Sequence, residues 1–113
     1  MISRGEIWDV EFTGRGDEIR KIRPCVVVNL DLIGKLNLRV VVPITGWHDA
    51  FSSSLWFVKL PPSKQNGLAK MSAADAFQVK SISVDRFVSR RGAVTAAELD
   101  DIVAAIALVV GAN

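Results

Sequence analysis

Punctuation constrains this chain most. Six short β-type runs follow one another, at 6–12, 23–29, 36–44, 54–60, 76–82 and 85–89, with Gly, Pro or charged residues between them. In the first, Trp8, Val10 and Phe12 alternate with Ile7, Asp9 and Glu11, the period of a half-buried strand. Arg23–Asn29 is apolar and β-branched, as a central strand is, and Pro24 is permitted near its start. Leu36–Ile44 stops at Pro43-Ile44-Thr45-Gly46, Ser54–Leu60 stops at Pro61-Pro62, and a turn at Ser83-Val84 divides the last two runs. Strands this short at this spacing predict a mainly β fold, a strongly bent sheet or small barrel. Thr13–Ile22 carries two glycines and five charges without a period, so it reads as a mobile loop.

The C-terminal segment follows a different rule. Thr95-Ala-Ala-Glu98 is a capping box, in which the hydroxyl and the carboxylate each satisfy a free backbone amide, and an Ala/Leu/Ile/Val-rich stretch follows to Val110. The spacing predicts a helix there. Ile102, Val103, Ile106, Val109 and Val110 cover more than one narrow stripe, so the helix is expected to pack on the barrel and also to meet a second subunit.

At 113 residues the chain has room for one core, and residues 1–113 are expected to form a single domain that carries the whole function. Half the residues are hydrophobic and there is no low-complexity stretch, which excludes a disordered chain. The mean hydropathy of +0.29 is high for so small a monomer and points to apolar surface covered by a partner. No charged-then-apolar leader opens the sequence, and Ile102–Val110 is far short of the ~20 residues that span a bilayer, so a cytoplasmic protein is expected. Cys25, the only cysteine, lies in a Val-rich run and is expected to be a small buried hydrophobe. All 14 Lys and Arg lie in residues 1–91, whereas Glu98, Asp100 and Asp101 lie beyond, so the first 91 residues carry a net +5, which suits a phosphate-bearing partner.

His48 is the only histidine and no carboxylates cluster at ligand spacing, so neither a metal nor another cofactor is expected. His48 itself reads as a solvated loop residue. What remains are Arg, Lys, Thr, Ser and Gln, poor at acid–base work in water but good at holding phosphate and stabilising charge on it. RNA needs little more, because its own 2′-hydroxyl is an internal nucleophile once held in line.

In order along the chain, Arg4-Gly5-Glu6-Ile7-Trp8, Gly16-Asp17-Glu18, Arg23-Pro24-Cys25-Val26-Val27-Val28, Val42-Pro43-Ile44-Thr45, Gly67-Leu68, Gln78-Val79-Lys80-Ser81-Ile82 and Gly92-Ala93-Val94 resemble the MazF/PemK toxin family from end to end. The resemblance implies a small SH3-like barrel of six or seven strands with a C-terminal helix, shared with CcdB/PemK-like plasmid toxins. It also implies a homodimer, cleavage of single-stranded mRNA at a short sequence, and inhibition by a cognate MazE-like antitoxin. The family's catalytic arginine falls on Arg23 and its catalytic threonine or serine on Thr45. Glu18 takes the place of the loop glutamate associated with activity, and Gln78, Lys80 and Ser81 fall where relatives contact RNA. A guanidinium stays protonated, so Arg23 is assigned to charge stabilisation.

The chain departs from the family at Thr13, where relatives often carry proline, and at Gly46-Trp47, where they often place small or polar residues; these positions bear on base preference. Trp47 fits a base-stacking role and a packing role equally. Two other functions share the barrel: a gyrase-poisoning toxin resembling the CcdB family, and a non-catalytic SH3-like nucleic-acid-binding module. CcdB relatives end in Trp-Gly-Ile, whereas this chain ends Val109-Val110-Gly111-Ala112-Asn113.

Overall fold

A computed structural model describes residues 1–12, 21–33 and 36–112. Seven strands appear among them: β1 Glu6–Phe12, β2 Lys21–Val27, β3 Leu38–Gly46, β4 Phe57–Leu60, β5 Ser72–Asp75, β6 Lys80–Ser83 and β7 Phe87–Ala93, followed by the helix α1 Ala96–Val110. All pairings are antiparallel, in the order β4-β5-β3-β2-β1-β7, with β6 also on β3. The expected mainly β architecture with a terminal helix is what forms.

The central strands are buried on both faces, which the half-buried period of 6–12 did not anticipate. One cluster takes Ile7, Val26, Val28, Val42 and Ile44 with Leu60, Ala74, Val94 and Ile102. The other takes Val10, Cys25, Val27 and Val41, with Trp8, Phe12, Ile82 and Phe87 packed against it. Trp8, Val10 and Phe12 thus share a face as their spacing requires, while Ile7 serves the opposite core. Two register shifts between β1 and β7 bend the sheet enough to wrap both clusters.

Three expected strands change form. Residues 76–78 and 85–86 lie in 3-10 turns rather than strand, the second beginning at Val84 in the expected turn, because Asp75 and Ser83 cap them by accepting the amides of Phe77 and Asp85. The run from Ser54 narrows to Phe57–Leu60, since residues 49–53 form another 3-10 turn whose carbonyl at Phe51 takes the Ser54 amide. Ser72–Asp75 is a strand that the periodicity did not reveal.

The capping box forms as read: Glu98 N–H donates to Thr95 Oγ1 at 3.1 Å, and Thr95 N–H to Glu98 Oε1 at 2.9 Å. Ile102 and Ala105 are buried, with Leu99 and Ile106 against the same core, while Val103, Leu108 and Val110 face outward. Among the described residues no helix is long and apolar enough to cross a membrane. The loop before β5 is built around buried Asn66, whose Oδ1 accepts the amides of Ser63 and Leu68 while its Nδ2 donates to the Pro61 carbonyl. Gly67 is required in it: its φ is +66° and a Cβ there would lie 2.3 Å from the Arg91 carbonyl oxygen.

Candidate active site

The site lies where β2 and β3 part. β2 and β3 keep one register from Val27↔Val41 to Cys25↔Pro43, and the ladder ends there. From Ile44 onward β3 stays paired only on its opposite edge, where β5 follows β6 through Ile44↔Ala74, Thr45↔Ala73 and Gly46↔Ser72. Two residues further in the lost register, Arg23 would face Thr45, but the strands have parted and a gap opens between them. Pro24 and Pro43 sit beside the split, where neither can donate a ladder hydrogen bond.

Arg23, Ile44 and Thr45 line two cavities, one on each side of the gap. The first is a trough of about 500 Å³ with Lys21, Arg23, Lys70 and Arg91 around it. Arg91 is engaged by Asp9 at 2.6 Å and by the Gly67 carbonyl at 3.1 Å. Lys21, Arg23 and Lys70 have no acidic partner among the described residues. Lys70 lies across Gly46, its Nζ 3.1 Å from where a Cβ would stand, so the departure from the family pattern at Gly46 makes room for a cation.

The second cavity, about 370 Å³, is lined by Arg23, Pro43, Ile44, Thr45, Phe51, Phe57, Asp75 and Gln78. Phe51 and Phe57 stack at 3.8 Å with their planes 4° apart. Asp75, nearly buried, accepts the Phe77 amide at Oδ1 (3.2 Å) and the Gln78 side-chain amide at Oδ2 (2.7 Å). Trp47 and His48 each meet Phe51 edge-on, and Lys59 Nζ lies 4.8 Å from the centre of the Trp47 ring, so Trp47 takes part in packing. His48 is exposed, as expected.

The structure therefore brings together Arg23, Thr45 and Gln78. It does not bring Lys80 or Ser81 to either cavity: Lys80 Nζ sits 4.9 Å from the centre of the Phe12 ring, and Ser81 is an exposed residue opposite Val40. Glu18 falls with residues 13–20 outside the described residues, while Lys21 and Ile22, expected in the loop, open β2 because they pair with Phe12 and Glu11 of β1. Lys70, Asp75, Phe51 and Phe57 escaped the sequence reading. An acid inside Ala73-Ala74-Asp75-Ala76 was a signal for Asp75, whereas nothing in the spacing pointed to Lys70.

Cys25 is buried, and burial pushes its thiol up to about 12 even though the charges of Lys80 and Arg23 pull the other way, so it stays protonated and packs as a hydrophobe. Among the described residues no group of three or more His, Cys, Asp or Glu is placed to hold a metal ion. The arrangement offers charge, hydrogen-bond donors and an aromatic wall around one exposed gap. Those suit a phosphodiester with a base beside it.

Comparison with known proteins agrees. The family model for the PemK-like, MazF-like toxin of type II toxin–antitoxin systems matches residues 3–110. Endoribonuclease MazF9 of Mycobacterium tuberculosis is 35% identical over 106 residues, covering 88% of this chain and 87% of that protein. Among solved structures, the MazE-MazF complex (Form-II) of Deinococcus radiodurans superposes with a TM-score of 0.78 at 19% identity, covering 98% of this chain and 96% of that one. A mycobacterial endoribonuclease in complex with its cognate antitoxin gives 0.76 at 20% identity, covering 98% and 96%. At these identities the structural matches speak for the fold.

Proposed function

This chain belongs to the PemK-like, MazF-like toxins of type II toxin–antitoxin systems and is a toxin endoribonuclease, and we propose that it cuts single-stranded mRNA at a short specific sequence, without metal or ribosome, using the substrate's own 2′-hydroxyl. The observation that carries the mechanism is the gap where β3 leaves β2, with Arg23 on one lip and Thr45 on the other. In this reading the 2′-oxygen attacks the adjacent phosphorus and loses its proton. The bond to the 5′-oxygen breaks and that oxygen takes up a proton, leaving a 2′,3′-cyclic phosphate and a 5′-hydroxyl. Arg23 grips two non-bridging oxygens as charge grows on them, and Thr45 donates a hydrogen bond to the same group.

Residues 1–113 act as one domain. The trough receives neighbouring phosphates, and Gln78 contacts RNA at the second cavity. Lys80, Ser81 and Glu18 are retained as RNA contacts on the resemblance alone; for Lys80 and Ser81 this requires RNA to extend past the two cavities. The outward Val103, Leu108 and Val110 of α1 suit a homodimer, and a MazE-like antitoxin is the inhibitor. The RNA target is met in the cytoplasm, where this reading places the protein.

The test is to treat RNA with the purified protein in EDTA and map 5′-hydroxyl ends. Cuts at one recurrent sequence, abolished by a single 2′-deoxy sugar on the 5′ side of the cut, are the expected result. Cutting of the deoxy-substituted bond, or a product ending in a 3′-hydroxyl, overturns the mechanism. No cutting at all returns the gyrase-poisoning and non-catalytic readings.

A further inference from the structure

The geometry points to the Phe51–Phe57–Asp75–Gln78 cavity as a pocket that selects guanine in one of the two nucleotides sharing the scissile phosphate. This deepens the ribonuclease reading and rests on it. The cavity shares Arg23 and Thr45 with the proposed phosphate site, so a base inside it belongs to a nucleotide directly attached to that phosphate. Its volume, about 370 Å³, is at the low end of the ~300–1,000 Å³ typical of small-ligand pockets, suited to one base rather than two.

One wall is apolar and aromatic. Phe51 and Phe57 are stacked, and Trp47 and His48 brace Phe51 edge-on, so the wall is held in place before any base arrives. The polar side offers acceptors. Each Asp75 oxygen accepts one hydrogen bond from the protein, from the Phe77 amide and the Gln78 side chain, and an ionised carboxylate oxygen has a second lone pair to offer. These two bonds also fix the direction of the carboxylate. With its amide turned to Asp75, Gln78 leaves its carbonyl oxygen as a further acceptor.

A row of acceptors discriminates among bases by their Watson–Crick edges. Guanine presents two adjacent donors, N1–H and the N2 amino group, which match the two carboxylate oxygens. Cytosine and adenine each set one amino group beside an acceptor ring nitrogen, so one contact forms and the other repels. Uracil flanks its single N–H with two carbonyl oxygens, the least compatible edge. Bidentate matches of this kind are worth about 5- to 150-fold in discrimination.

The experiment uses the full chain and an RNA pool randomised around the cut. Guanine should be fixed at one of the two nucleotides flanking the cleaved bond. Replacing that guanosine by inosine, which lacks only the N2 amino group, should lower kcat/KM by about 5- to 150-fold. Asp75→Asn, whose amide turns one acceptor into a donor, should cut guanosine and inosine sites at similar rates. Cutting at a recurrent sequence with no guanine beside the bond overturns the pocket while leaving the ribonuclease standing. Equal cutting of inosine and guanosine by the unmodified protein also overturns it, and this arm holds even if Asp75→Asn fails to fold. Absence of any 5′-hydroxyl ends overturns both readings together.

Discussion

The two cavities beside Arg23 and Thr45 are built on opposite principles. The trough carries long cations, of which Lys21 and Lys70 are exposed and without acidic partners among the described residues while Arg91 is held by Asp9. The second cavity is made of groups that other groups hold still: a stacked phenylalanine pair and a carboxylate pinned by two hydrogen bonds. Flexible point charges bind any phosphate and carry no sequence information. Fixed acceptors and a fixed wall reward one base and reject others. The difference teaches that affinity and selectivity are separately mutable here, although they meet at the same two residues.

The largest effect should come from the shared residues, where the comparison disappears. Arg23→Ala and Thr45→Ala are each expected to lower kcat by roughly 10²–10³ on every site, with folding unchanged by circular dichroism. Arg23→Lys should recover only part, because a point charge cannot grip two oxygens. If either alanine variant merely altered which sequence is cut, the shared-site assignment would be lost.

Next is Gly67→Ala, which should lower stability by about 1–3 kcal/mol through left-handed backbone strain, and by more if the Arg91 carbonyl cannot yield to the new Cβ. A thermal melt measures it. Because this loop carries Lys70, RNA affinity should fall with stability while base preference stays the same.

Lys70→Ala is smaller and sharper. It should weaken binding several-fold for all sequences alike and reduce the slope of log K against log salt by about 0.7, one phosphate contact to single-stranded RNA. A change in base preference would break the division between trough and pocket.

The smallest expected effect lies away from both. Burial raises the Glu6 carboxyl, yet hydrogen bonds from the Ser3 amide, the Trp8 indole and Arg90 outweigh it and hold the group below its ordinary value. A lowered folded value means the stabilisation is present above the unfolded pKa and is lost as pH falls through the folded one. Glu6→Gln should therefore reduce the melting temperature slightly at neutral pH and converge with the unmodified protein in acid.

Local features were legible in the residues. Thr95 and Glu98 announced the helix start because a capping box is closed within four residues. Alternation at Trp8, Val10 and Phe12 marked β1, and the Val-rich runs marked β2 and β3. The strand at Ser72–Asp75 was not legible, since Ser-Ala-Ala-Asp has neither β-branched residues nor alternation. It is a strand because it lies between β3 and β4, where small side chains let the sheet fold over Leu60 and Ile44.

Arg23 and Thr45 were nominated by family resemblance, and their side chains are 22 positions apart in a sequence that contains no sign of a gap between them. By itself the sequence determined the segments, the helix cap, the absence of paired cysteines and the stock of phosphate-binding groups, because those depend on residue type and short-range spacing. Only the tertiary structure decided that β3 abandons β2 at Pro43, that Lys70 lies over Gly46 and that Asp75 meets two phenylalanines beside Arg23. Each of these rests on pairing between distant segments, whose partners are chosen by the burial of two cores on opposite faces of the same strands.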